Sequence, residues 1–383
     1  MTTRVTTKWW RIMLRTTAVA AAIAVLSAMT VQASTTRATR PDLQAGVDAI
    51  VAAGAPGALV EVRDERGTWR TSSGVAALGT TKQVPVGGRF RAGSVTKIFV
   101  ATVVLQLAAE GRLRLDDTVE RWLPGAVPAG GRITLRQLLN HTSGLYNYTD
   151  DLPLHDTEAY LQIRFQTWSP SELLKLATRH PLLFEPGTQW RYSNTDDIVL
   201  GLVVQRVSGH PYGVEIERRI LRPVGLHATS IPGTSARIPG PHAHGYLPLV
   251  SDGQVSPIDV TEINPSAAWA AGEMISTTAD LNRFLSALIG GRLVSPVELR
   301  EMTTPTLPAT DYGLGLKLVH LPCGVTVYGH DGDAPGYSTW SYATADTRRR
   351  ITISITWGTG DPHGPLPQVL DLLATAVCPR ATA

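Results

Sequence analysis

The sequence predicts a mixed fold of the α/β (α+β) class: an antiparallel sheet flanked by helices, with a mostly helical domain inserted between its halves. Three observations carry this. Alternating, strand-like segments occur near residues 57–75 and return over the last hundred residues, while helical or loop spacing fills the stretch between them. A chain of 383 residues, 43% hydrophobic and 17% charged, can bury a sizeable core and is not disordered. Strands supplied by both ends around a helical middle imply a single sheet assembled from the two termini. The boundaries read as 41–114 and 289–383 for the sheet domain and 115–288 for the helical domain.

At the start, Arg4, Lys8, Arg11 and Arg15 precede an apolar stretch from Ala18 to Met29 and then Val31-Gln32-Ala33. A basic start, an apolar middle and a small-residue cleavage pattern describe a secretory signal, expected over residues 1–33. The apolar middle is about a dozen residues, short of the roughly 20 that span a bilayer, so no stable membrane anchor is expected. The formal charge of +3 falls to −1 without these four basic residues, which leaves no basic stripe for nucleic acid. An exported, extracytoplasmic protein is the reading.

Leu43 to Val51 has amphipathic helical spacing, and Gly57 to Arg63 with Trp69 to Val75 alternate as hairpin strands do. Ser94-Val95-Thr96-Lys97 then opens a long apolar run, Ile98 to Leu107, that Gly111 ends. On a helix, residues three apart share a face, so the Ser94 hydroxyl lies beside the Lys97 amine. A serine hydroxyl needs a base, and a lysine serves as one when burial lowers its pKa; an arginine cannot. The chain has only five lysines among 35 basic residues, and one of them sits inside its most apolar helix.

From Leu115 to Leu288 the pattern is helical or loop, punctuated by Ser169-Pro170, Pro186-Gly187 and Pro239-Gly240. Tyr192-Ser193-Asn194 falls on a loop before the apolar run Ile198 to Val203. Tyrosine can relay a proton and an asparagine amide can orient a lysine and a substrate; Asn194 is also a good helix N-cap. Tyr312 to Leu318, Val325 to Gly329, Tyr337 to Ala343 and Arg350 to Trp357 read as strands, and Pro365 to Cys378 as a helix. His330-Asp331-Gly332 ends the second of these strands. Gly332 permits close approach of a substrate, and the amide of Asp333 can pair with that of Ser94 as an oxyanion hole. Cys323 and Cys378, in an exported chain, would fasten the terminal helix to the sheet by a disulfide.

Other hydrolase chemistries fit poorly. No serine has the Gly-x-Ser-x-Gly setting, and His242 and His244 lack a third ligand at a usual spacing, so neither metal nor cofactor is expected.

Ser94-x-x-Lys97, Tyr192-x-Asn194 and His330-x-Gly332, in this order, resemble the active-site-serine penicillin-recognising family. The resemblance is to the branch holding class C β-lactamases, D-alanyl-D-alanine carboxypeptidases, D-aminopeptidases and related esterases. It looks most like the secreted actinomycete carboxypeptidase type, which carries His-x-Gly where others have Lys-x-Gly. His141-Thr142-Ser143-Gly144-Leu145, Ala271-Gly272-Glu273-Met274-Ile275-Ser276-Thr277 and Tyr312-Gly313-Leu314-Gly315 extend it over most of the chain. It implies a β-lactamase/transpeptidase-like fold and an acyl-enzyme on Ser94. Lys97 would be the base, Tyr192 the proton relay, Asn194 the orienting amide, and His330 the opposite wall, with activity sensitive to pH near neutrality.

The resemblance further implies a D-alanyl-D-alanine carboxypeptidase-type hydrolase acting on small peptides of the peptidoglycan stem type and acylated by β-lactams. A D-aminopeptidase, an esterase, a class C-like β-lactamase and a penicillin-binding sensor are the alternatives. On the substrate side it implies Gly332, Asp333, Lys317 and Trp269. Asp333 stands where carboxypeptidases have a hydroxyl, so it would repel a substrate carboxylate unless a neighbour such as Lys317 neutralises it; alternatively it would attract an amine, or point outward and leave a neutral site for esters or amides. Tyr146, Tyr148 and Trp340 are further candidates for the cleft wall.

Overall fold

The computed structural model describes residues 40–307 and 310–378; the expected export segment lies outside them. The strands are β1 (Gly57–Asp64), β2 (Gly67–Gly74), β3 (Phe90–Arg91), β4 (Tyr246–Ser251), β5 (Gln254–Asp259), β6 (Ile275–Ser276), β7 (Lys317–His320), β8 (Thr326–Ala334), β9 (Tyr337–Thr344) and β10 (Arg350–Thr356). Six of them form one antiparallel sheet in the order β2-β1-β10-β9-β8-β7. The two ends of the chain meet at its centre, where Val60 of β1 lies opposite Ile353 of β10. This is the mixed antiparallel architecture that the strand distribution predicts.

Alternation along β1 divides its side chains between two cores. Ala58, Val60 and Val62 join Leu43, Val47 and Ile50 of the helix Pro41–Ala52 and Leu372, Leu373 and Val377 of the helix Leu366–Val377. Leu59 belongs to the larger core on the other face, with Ile98, Phe99 and Val103. A disulfide joins Cys323, between β7 and β8, to Cys378 at the end of the terminal helix, with Cα atoms 5.9 Å apart.

The helix Thr96–Ala109 is buried from Thr96 through Leu105 and again at Leu107. A helix apolar on every side belongs inside a protein, and this one runs through the larger core. Phe99 stacks on Phe284 of the helix Thr278–Ile289, which packs against β1, β9 and β10. There Asn282 donates to the Glu61 carbonyl at 3.0 Å and accepts from Thr352 Oγ1 at 3.0 Å, fixing helix to sheet.

Two expectations require correction. Tyr312 does not open a strand: β7 begins at Lys317, and Tyr312 to Gly315 form a turn closed by Gly313 N donating to Leu316 O at 2.8 Å. Gly315 has φ +77°, and a Cβ there would meet Ala101 Cβ at 2.5 Å, so this turn presses on the buried helix. His330-Asp331-Gly332 does not end β8 either. The triplet lies within the strand, in register with β9 from His330 opposite Ser341 to Asp333 opposite Ser338, and the chain reverses only at Pro335-Gly336. Continuous pairing with β9 outweighs the turn propensity of Asp and Gly.

Candidate active site

Ser94 sits on a one-turn 3₁₀ segment, Gly93–Val95, that leads into the buried helix. Gly93 has φ +55°, and a Cβ there would lie 2.5 Å from Asp333 O; only glycine fits. Thr96 Oγ1 clamps the turn by donating to Gly93 O at 2.8 Å and accepting from Met274 N at 3.2 Å. Gly332 of β8 faces the same turn, since a Cβ on it would meet Ser94 N at 2.6 Å. Strand β8 and the nucleophile turn are therefore in backbone contact.

Lys97 Nζ lies 3.2 Å from Ser94 Oγ, 2.8 Å from Asn194 Oδ1 and 2.6 Å from Ala271 O. A neutral amine has two N–H groups and one lone pair. With the two carbonyl oxygens taking both N–H groups, the lone pair is left for the serine hydroxyl. Burial lowers the Lys97 pKa and favours that neutral form, while the Asp197 carboxylate 3.7 Å away opposes it.

Tyr192 Oη donates to Ser94 Oγ at 2.8 Å. Burial, reinforced by Asp197, raises its pKa well above the usual phenol value, so Tyr192 is held as a proton donor. The opposite directions of the two shifts favour Lys97 over Tyr192 as the base. Asn194 opens the helix Asn194–Ser208, whose N-cap is Ser193. The Asn194 side chain does not cap: its oxygen accepts from Lys97, and its Nδ2 donates to Asn147 Oδ1 and Thr149 Oγ1, each at 3.2 Å.

His330 is buried, and its Nε2 pairs with Tyr312 Oη at 3.0 Å. The same hydroxyl meets His141 Nε2 at 3.2 Å, and His141 Nδ1 meets Asp196 Oδ2 at 2.8 Å. A chain of polar groups thus runs behind Tyr192, whose ring centroid is 4.5 Å from that of His141. Burial holds both imidazoles well below their ordinary pKa. Burial thus favours the neutral form of His330, which runs against the pH sensitivity near neutrality expected of this imidazole. Asn147, Asp196, Asp197 and the site role of Tyr312 escape the sequence reading. Acidic residues in the first turn of a helix are commonplace, and only the fold turns Asp196 and Asp197 inward.

These groups open on a cleft of ≈ 430 Å³ whose apolar wall includes Tyr148, Leu152, Leu154, Tyr160, Trp190 and Ile263. Lys317 borders it, but its Nζ is paired with Asp331 Oδ1 at 2.6 Å. The direct ion pair of Lys317 is thus with Asp331, while Asp333 is exposed on the cleft and accepts from Ser338 Oγ at 2.5 Å. Trp269 does not line this cleft. It packs edge-on against Tyr212, ring centroids 4.6 Å apart, and borders a separate cavity. Tyr146 stacks on His180, and Trp340 belongs to the core beneath the terminal helices, so of the other aromatic candidates only Tyr148 reaches the cleft.

The chain is 29% identical over 303 residues to penicillin-binding protein 4* of Bacillus subtilis (strain 168), a match covering 73% of this chain and 63% of that protein. This chain thus spans less than two thirds of that relative's length. Among solved structures, a D-stereospecific amidohydrolase from Streptomyces sp. superposes with a TM-score of 0.80 at 40% identity, covering 90% of this chain and 100% of that one. The D-amino acid amidase of Ochrobactrum anthropi SV3, complexed with L-phenylalanine amide, gives 0.75 at 27% identity, covering 88% and 98%. The model of the family described as Beta-lactamase matches residues 41–375. The chain is a member of that family of serine hydrolases.

Proposed function

We propose that this chain is an exported amidohydrolase that cleaves amide or peptide bonds of D-amino acid derivatives through an acyl-enzyme on Ser94, and that β-lactams acylate the same residue. The observation that carries this reading is Ser94 Oγ held between Lys97 Nζ at 3.2 Å and Tyr192 Oη at 2.8 Å. In it, Lys97 accepts the hydroxyl proton as Oγ attacks the carbonyl, and the amides of Ser94 and Asp333 receive the developing oxyanion. Tyr192 then delivers a proton to the departing nitrogen, the proton taken up by Lys97 restores the phenol, and water hydrolyses the ester, one of its protons returning to Ser94 Oγ. Asn194 holds Lys97 in register. The Cys323–Cys378 disulfide and the amino-terminal pattern support export. Among the described residues no helix is long and apolar enough to cross a membrane.

Charge in the cleft favours a substrate with a free amine. Lys317 is engaged by Asp331, while Asp333 presents a carboxyl to the cleft whose pKa burial raises and which an arriving substrate amine would hold ionised. The similarity to a D-stereospecific amidohydrolase and a D-amino acid amidase points the same way. Carboxypeptidase action on D-alanyl-D-alanine ends is the second reading, favoured by the penicillin-binding relative and by the Lys317 cation on the cleft wall.

The test is hydrolysis of D-phenylalaninamide, its N-acetyl derivative and diacetyl-Lys-D-Ala-D-Ala, alongside intact mass after exposure to a fluorescent penicillin. Fastest turnover of the free-amine amide, abolished in Ser94→Ala, is expected. Faster release of D-alanine from the tripeptide would establish the carboxypeptidase. A lasting penicillin adduct with no turnover of any substrate would mark a sensor.

A further inference from the structure

Asp196, in the first turn of the helix Asn194–Ser208, is fully buried, and no step assigned to Ser94, Lys97 or Tyr192 uses it. Its carboxyl is one end of the chain Asp196, His141, Tyr312 and His330, in which the two imidazoles are each 1% exposed. Every link in such a chain needs a proton on one side and a lone pair on the other. Its direction follows from the one link that admits a single arrangement.

That link is at His330. Its Nδ1 is hydrogen-bonded to the backbone carbonyl of Asp331, which can only accept. Nδ1 therefore carries a proton, and in the neutral ring that burial favours Nε2 keeps its lone pair. Tyr312 Oη has one proton and lies between two imidazole nitrogens, 3.0 Å from His330 Nε2 and 3.2 Å from His141 Nε2. It gives that proton to His330, so His141 donates to it from Nε2. A neutral His141 then has its lone pair on Nδ1, 2.8 Å from Asp196 Oδ2, and that oxygen must be a hydroxyl. Asp196 Oδ1 is left as the carbonyl oxygen, which accepts from Ser143 Oγ at 2.5 Å.

An ionised Asp196 would reverse the chain. His330 would then turn an Nδ1 lone pair on the Asp331 carbonyl or become a buried imidazolium, a cation that Asp331 favours and Lys317 and Lys97 oppose. Burial pushes the Asp196 carboxyl well above its ordinary range and Asp197 adds to the shift, against the Ser143 hydrogen bond and the Lys97 charge. The His141 ring lies 4.5 Å from that of Tyr192, where an imidazolium would favour the phenolate and weaken Tyr192 as a donor.

We propose that Asp196 is a neutral carboxylic acid and a positioning residue for the reaction: the hydrogen bond it donates to His141 Nδ1 sets the direction of the whole chain and keeps an imidazolium away from Tyr192. The positioning role rests on the acylation chemistry proposed for Ser94, Lys97 and Tyr192.

Long-range ¹H–¹⁵N spectra of histidine-labelled protein at neutral pH, assigned with His141→Gln and His330→Gln, test the protonation without turnover, so their outcome is separate from that of the acylation chemistry. Each ring should carry one proton, at Nε2 of His141 and at Nδ1 of His330. A proton on His141 Nδ1, or a doubly protonated ring, overturns the proposal. The positioning role is read from acylation by a fluorescent penicillin. Asp196→Val, which removes the donor to His141 Nδ1, should acylate about tenfold more slowly and lose the single pattern of ring protons. Asp196→Asn, whose Nδ2 can donate to His141 while its Oδ1 accepts from Ser143, should recover the pattern and most of the rate. Equal rates in Asp196→Val and the parent, or an Asp196→Asn no faster than Asp196→Val, refute the role. Should Asp196→Val fail to fold, the histidine spectra of the parent decide.

Discussion

Replacing Gly332 by alanine probes the contact on which the acylation geometry rests. The added methyl would meet Ala92 O at 2.3 Å, Ser94 N at 2.6 Å and Val95 N at 2.9 Å, all backbone atoms that cannot rotate aside. A methyl needs about 3.5 Å, so β8 must retreat from the nucleophile turn by about 1 Å. The amides of Ser94 and Asp333 lie on opposite sides of that contact. Donors to an oxyanion must sit within a few tenths of an ångström, and loss of one costs about 10²–10³ in rate. Acylation of Gly332→Ala by a fluorescent penicillin should fall by that factor, with about 1–3 kcal/mol of overpacking strain seen by calorimetry. Gly57→Ala is the control: its methyl would meet Val84 Cγ2 at 2.5 Å in β1, away from Ser94, and should lower stability while acylation persists. If Gly332→Ala acylates within about threefold of the parent while its melting temperature drops, the oxyanion assignment is wrong.

Further outcomes follow from the same geometry. Lys97→Arg should abolish acylation by intact mass, because a guanidinium keeps its proton where an amine yields it. With Lys97 as the base, kcat/KM should rise with pH through its burial-lowered pKa, below the ordinary lysine value, and His330→Gln should leave the position of that limb unchanged because His330 is already neutral. A limb that vanishes in His330→Gln would return the pH dependence to the imidazole. Tyr192→Phe should reduce amide turnover by about 10²–10⁴ and affect an activated ester less, since a good leaving group needs no proton. Serine at both Cys323 and Cys378 should cost about 4 kcal/mol in the chain-entropy model, given the 55-residue separation, read as a lower denaturant midpoint.

Much of this was legible in residue order because it rests on local rules. The spacing of Ser94 and Lys97 on one helical face, the apolar run that buries that helix, and the alternation of β1 and β10 all follow from periodicities of 3.6 and 2. The polar chain Asp196, His141, Tyr312 and His330 was not legible as a unit, because its members lie up to 171 residues apart in a single bond. Short-range pattern also misplaced the triplet at His330, whose turn-forming composition yields to pairing with β9.

By itself, then, the sequence determined the fold class and the pairing of a hydroxyl with an amine one helical turn on. Tertiary structure alone decided which charges face the cleft. It gave Lys317 to Asp331, left Asp333 open, and turned Trp269 into a different cavity. Side-chain direction depends on register and packing between distant segments, and a linear pattern carries no information about which remote neighbour claims a charge.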